Sequence, residues 1–102
     1  MDIVWSPMSR RRMMEIIGYY RYRNKKTAAQ LLAELKKATG TLKVFPHIGP
    51  TEPALPGRAY RSLLVRNRYK IVYRVDEQTE AVHIITVWDC HMDSSKMVHD
   101  TE

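Results

Sequence analysis

Arg58, Arg61, Arg66, Arg68, Lys70 and Arg74 stand within eighteen residues that contain no carboxylate. A strand-like stretch of this composition presents uncompensated positive charge, and the commonest anionic partner for such a surface is phosphate. Nucleic acid is therefore the first expected partner. His91 follows Trp88-Asp89-Cys90 at the end of the last apolar run, where its side chain can reach this basic platform, and an imidazole is the side chain best suited to general acid–base work. Cleavage of RNA through its 2′-hydroxyl needs a proton acceptor, a proton donor and cations that stabilise a phosphorane-like dianion. His91 suits the two proton steps, with Asp89 either orienting it or closing a turn. The plainer reading is that the arginines solvate an exposed sheet face or discourage edge pairing, and that His91 is a surface residue.

Other chemistries find little support. His47, His83, His91 and His99 are scattered without ligand spacing, so no metal site is expected. Cys90 is the single cysteine; it excludes an intrachain disulfide, lacks an activating motif and fits a cytosolic protein. No glycine-rich phosphate loop and no nucleophile elbow is present, and no cofactor is expected. The N-terminus has no apolar run of signal-peptide length, and no segment approaches the roughly 20 apolar residues of a membrane-spanning helix.

The 102 residues, 44% apolar, suffice for one domain with a modest core. The net charge of +6 is distributed unevenly: residues 1–75 carry sixteen Lys/Arg against four Asp/Glu, and residues 76–102 carry one lysine against seven acids. Residues 95–102 are expected to form a flexible acidic tail.

The elements that must position the cations follow from periodicity. Asp2 to Trp5 reads as a short strand, and Ser6-Pro7 as an N-cap and first helical residue. Met13, Ile16, Ile17 and Tyr20 form one helical stripe, and Ala28, Leu31, Leu32 and Leu35 a second, predicting a helical hairpin whose second helix starts after Thr27 and stops at Gly40. Residues 41–57, rich in proline, read as an irregular segment pinned by Leu42, Val44, Phe45 and Ile48. Beyond it the period becomes two. Leu63 and Val65 share a face, Arg66-Asn67-Arg68 turns, and Tyr69, Ile71, Tyr73 and Val75 share a face opposite Lys70, Val72 and Arg74. Ala81 to Trp88 suits a central strand. The expected fold is α+β, in the order β-α-α-β-β-β: an antiparallel sheet with the hairpin on one face. The other face, carrying Ser62, Leu64, Lys70 and Arg74 with Arg58 and Arg61 near one end, is expected to be an open basic platform.

The chain resembles the RelE/ParE superfamily, the toxin half of type II toxin–antitoxin modules. The resemblance rests on the hairpin after a first strand, FPHIG at 45–49, YRSLLVRNRYKIVYRV at 60–75 and VWDC at 87–90. It implies a small cytoplasmic protein that arrests growth and is neutralised by a cognate antitoxin wrapped around it, with operator DNA bound only by the toxin–antitoxin complex and with no membrane partner. RelE-like members cut mRNA on the ribosome without a metal. On that pattern Arg61, Lys70 and His91 are the catalytic candidates, and Arg58, Arg66, Arg68 and Arg74 the nucleic-acid contacts. Leu64 stands where relatives often have a basic residue, and the tail lacks the tyrosine that acts in some ribonucleases. The alternatives are a ParE-like inhibitor of DNA gyrase, whose basic C-terminus this acidic tail does not resemble, and an inactive antitoxin-binding relative.

Overall fold

The computed structural model describes residues 1–57 and 59–102. Strand β1 (Asp2–Trp5) leads into helix α1 (Pro7–Arg21) and helix α2 (Lys25–Val44), followed by strands β2 (Tyr60–Val65), β3 (Tyr69–Asp76) and β4 (Ala81–Asp89), and a 3-10 helix at Ser94–Thr101. The strands form one sheet in the order β1-β4-β3-β2. The predicted order and the α+β class hold. The sheet is mixed and not wholly antiparallel, because β1 pairs with β4 in parallel along Asp2–Trp5 and Ala81–Ile84.

Capping chemistry sets the helix starts. The Ser6 hydroxyl accepts from the Ser9 N–H at 3.0 Å and donates to the Ile85 carbonyl at 3.0 Å. One side chain thus both caps α1 and fastens it to β4. Helix α2 begins earlier than Thr27, because the Asn24 side chain accepts from the Thr27 N–H at 3.1 Å and is itself the cap. It also runs past Gly40 to Val44. Continuing the helix buries Leu42 in register with Leu31 and Leu35, all three fully inaccessible, and that burial outweighs the roughly 1 kcal/mol that a glycine costs in a helix interior.

The hairpin packs on the face of the sheet that carries Tyr69, Ile71, Tyr73, Val82, Ile84 and Val87. The β2–β3 turn falls where expected: Arg66 and Asn67 both have positive φ (56° and 52°), and the Arg68 N–H closes the turn on the Val65 carbonyl at 3.2 Å. Positive φ at both central positions is the arrangement that matches strand twist in a tight hairpin.

Two expectations fail on the opposite face. It is not open, because Leu55, Val72, Trp88 and Met97 form a second buried cluster there. Residues 95–102, expected to be a flexible tail, lie almost entirely within the 3-10 helix, with Met97 fully buried and Asp100 only 5% exposed. In the 41–57 segment, Val44, Phe45 and Ile48 are exposed and do not pin the chain. Leu55 does so instead, together with an antiparallel run beside β2 in which the Glu52 N–H bonds the Tyr60 carbonyl at 2.9 Å and the Ser62 N–H bonds the Pro50 carbonyl at 3.0 Å. No described helix is long and apolar enough to cross a membrane.

Candidate functional site

Lys70, at the centre of the second face, does not stand free. Lys70 Nζ donates to Glu52 Oε1 at 2.7 Å, and the same oxygen accepts from the Ser62 hydroxyl at 2.9 Å, while Glu52 Oε2 accepts from the Ala54 N–H at 2.7 Å. Glu52 is wholly inaccessible. Burial alone would push its pKa up; the hydrogen bond from the Lys70 ammonium, with those from Ala54 and Ser62, outweighs burial and holds the carboxyl below its ordinary value. The Glu52 carboxylate is thus the charged form at neutral pH, and it matches the positive charge of Lys70 from within the protein.

Arg66 and Arg68 follow the same rule. Arg66 pairs with Glu34 of α2, its Nε 2.6 Å from the carboxylate. Arg68 grips Asp89 through two contacts, Nε to Oδ1 at 3.3 Å and Nη2 to Oδ2 at 3.1 Å. Burial would raise the Asp89 pKa, but the Arg68 guanidinium and the His91 N–H bring it below the usual range. Arg74, half-buried on β3, has no carboxylate within ion-pair distance among the described residues. Arg58 lies outside the described residues.

Two of the candidate catalytic residues, Arg61 and Lys70, do not share a face. In the β2–β3 register Arg61 faces Tyr73, whereas Lys70 faces Leu64, so the two side chains alternate onto opposite faces. Arg61 lies at the rim, where its Nη1 donates to the Gly49 carbonyl at 2.8 Å and the His47 carbonyl at 3.4 Å. It thereby locks the FPHIG segment against β2. The Gly49 N–H donates to the Tyr73 hydroxyl at 2.9 Å, and a Cβ at Gly49 would fall 2.5 Å from the Ser62 carbonyl oxygen. Only glycine fits so close a backbone approach. This part of the motif is built to dock a loop.

His91 is exposed just beyond β4. Its backbone N–H bonds Asp89 Oδ1 at 3.0 Å, and its ring makes no hydrogen bond or ion pair with any described residue. Asp89 therefore closes the turn and does not orient the imidazole. Cys90 is exposed, with burial of its surroundings pushing the thiol up, away from the thiolate form. No group of three or more metal-ligating side chains occurs among the described residues.

Glu52 is the residue that sequence reasoning missed. It is the only acid between Glu34 and Asp76, and a lone carboxylate preceding a run of cations is a signal for internal pairing. It lies in the proline-rich segment, six residues before the run begins, which is why a local count of charges passes over it.

A four-stranded sheet backed by an α-hairpin, with a short C-terminal helix packed on its far face, defines a small α+β protein. The profile of the family described as "ParE toxin of type II toxin-antitoxin system, parDE" matches residues 3–94. The chain belongs to that family and is a RelE/ParE-superfamily toxin of the type II class. Similar solved structures include a chromosomal ParDE system from P. aeruginosa, with a TM-score of 0.71 and 14% identity over 87% of this chain and 95% of that one. A YoeB/ParE toxin from Agrobacterium tumefaciens has a TM-score of 0.61 and 20% identity, covering 87% and 98%. The RelBE2 toxin–antitoxin complex from Mycobacterium tuberculosis has a TM-score of 0.60 and 20% identity, covering 86% and 95%. No protein of curated function matches the sequence.

Proposed function

We propose that this toxin arrests growth in the cytoplasm by stoichiometric binding to DNA gyrase, and that a cognate antitoxin neutralises it. The observation that carries this reading is the pairing of Arg66, Arg68 and Lys70 with Glu34, Asp89 and Glu52. Metal-independent cleavage of RNA needs cations free to meet a developing dianion, and these three already have internal counter-charges. Membership of the ParE family supports the same target class. The acidic tail is less of an objection than its composition suggests, since Asp100 is turned inward onto Arg12 and Thr86. Similarity to a ParDE system and to a RelBE complex supports an antitoxin partner, with operator DNA bound by the complex and not by the toxin alone.

A ribosome-dependent mRNA endonuclease is the second reading. The exposed, unengaged ring of His91 and the quarter-exposed Lys70 side chain favour it. Purified toxin titrated into a gyrase supercoiling reaction and, in parallel, into a translation reaction separates the two. Loss of supercoiling at toxin concentrations comparable to gyrase, with message left intact, supports binding. Message cut at codon boundaries with gyrase unaffected replaces it with the nuclease reading.

A further inference from the structure

Positive charge without an internal partner is concentrated on the helical hairpin. Residues 7–44 hold ten Lys/Arg against two Glu, and both carboxylates are occupied, Glu15 by Arg11 and Arg12, Glu34 by Arg66. Arg10, Arg21, Lys25, Lys36 and Lys43 are all exposed, and no carboxylate among the described residues lies within ion-pair distance of any of them. The same holds for Lys26 and Lys37. Lys25 and Lys26 also occupy the first turn of α2, where the helix dipole disfavours cations. Helix stability does not account for them.

These cations are arranged in lines. Lys25, Lys36 and Lys43 recur after eleven and then seven residues, close to three and two full turns, and so fall on one side of α2. Arg10 and Arg21 repeat the eleven-residue interval on α1. The two lines are neighbours, since Arg21 borders one hollow with Lys25 and a second with Lys36. Asp2 borders a third hollow with Lys36 and Lys43 but pairs with neither. Between the lines the apolar floor is mostly covered: Ile17 and Ala28 are buried, Met13 and Leu32 half-buried, and Met14 is the one large apolar side chain well exposed there. A partner held here gains little from apolar burial and much from charge.

We infer that these lines bind the phosphate backbone of duplex DNA without regard to sequence. Cations in a line on a rigid helix suit a linear polyanion: from Lys25 to Lys43 the row runs about 27 Å, and duplex DNA carries one charge per roughly 1.7 Å of its axis. The small apolar floor argues against an acidic amphipathic helix, which would need to bury its own apolar face. The choice of DNA over RNA rests on the gyrase reading, because gyrase holds duplex DNA, and toxin seated on the enzyme would touch that DNA through the hairpin. Phosphate contacts position a protein and carry no sequence information, so this contact is separate from operator recognition by the toxin–antitoxin complex.

The test titrates full-length toxin, without gyrase, into a short labelled DNA duplex and follows fluorescence anisotropy over a series of salt concentrations. The expected result is saturable binding at low salt, with the logarithm of the affinity falling linearly with that of the salt concentration as counterions are released. The triple variant Lys25→Gln, Lys36→Gln, Lys43→Gln should keep the circular dichroism of the parent, bind about tenfold or more weakly at low salt and flatten the slope by roughly 2 to 3 units. Arginine at the same three positions keeps the charge and should restore both. Absence of salt-dependent binding, or unchanged affinity and slope in the glutamine variant, overturns the inference. So does tighter binding to RNA of equal charge or to polyglutamate, which gives the surface to RNA or to an acidic protein. The supercoiling reaction keeps the two readings apart. Toxin that binds duplex yet leaves supercoiling intact removes gyrase and leaves the DNA contact standing; toxin that stops supercoiling without binding duplex removes the DNA contact alone.

Discussion

Arg12 and Asp100, 88 positions apart in the chain, form a two-pronged ion pair: Nε to Oδ2 at 2.9 Å and Nη2 to Oδ1 at 3.0 Å. The Thr86 hydroxyl donates to the same carboxylate at 2.8 Å. A side chain from the tail thus bridges α1 and β4 and holds the 3-10 helix over the second face of the sheet. Planar, charge-assisted pairs of this form are the strong ones.

Asp100→Asn should therefore lower stability by about 1.5–3 kcal/mol, the range for hydrogen bonds to charged groups. Chemical denaturation checks the size. Limited proteolysis checks the location, with cleavage appearing first between residues 93 and 101.

Acid should weaken the fold in a defined window. Asp100, Glu52 and Asp89 all have folded pKa values below their ordinary range; for Asp100, burial acts upward, and the Arg12 and Thr86 hydrogen bonds outweigh it. An unfolded carboxyl takes up its proton near pH 4, roughly, before the folded one does. Stability from these groups is then complete above that pH and lost as pH falls through the folded values. Melting temperature should be flat from about pH 5 to 8 and fall below about pH 4, and the fall should be shallower in Asp100→Asn.

Lys70→Met leaves Glu52 buried without its cation, and should cost about 3–5 kcal/mol. Adding Glu52→Gln should recover much of that loss, because a buried charge no longer stands alone. The double variant also discriminates function. If it folds and still arrests growth when induced without antitoxin, the pair is structural and the binding reading stands. A folded but harmless double variant, with toxicity retained in Ser62→Ala, places the pair in a working site.

Two glycines should respond in opposite directions. Gly49→Ala forces a Cβ against the Ser62 carbonyl and the Tyr73 hydroxyl, and should destabilise by about 1–3 kcal/mol as an overpacked site. At Gly40, within α2, a Cβ meets nothing within 4 Å. Gly40→Ala should stabilise by about 0.5–1 kcal/mol. Thermal melts of the two variants side by side check the contrast.

Much of the fold was legible from residue order alone. Period-3.6 stripes marked α1 and α2, alternation marked β2 and β3, and Ser6-Pro7 fixed the start of α1, because each of these signals acts within a few residues and needs no distant partner. Helix ends were less legible: at Gly40 the propensity of one residue lost to the burial of Leu42, a tertiary effect. The site was least legible. Residues 58–75 contain no acid in sequence, yet Glu34, Glu52 and Asp89 bring carboxylates to Arg66, Lys70 and Arg68 from three separate elements. Composition determined how much positive charge the chain carries; only the folded arrangement decided how much of it faces outward, since ion pairing depends on distance in space and the chain brings those acids in from as far as 32 residues away.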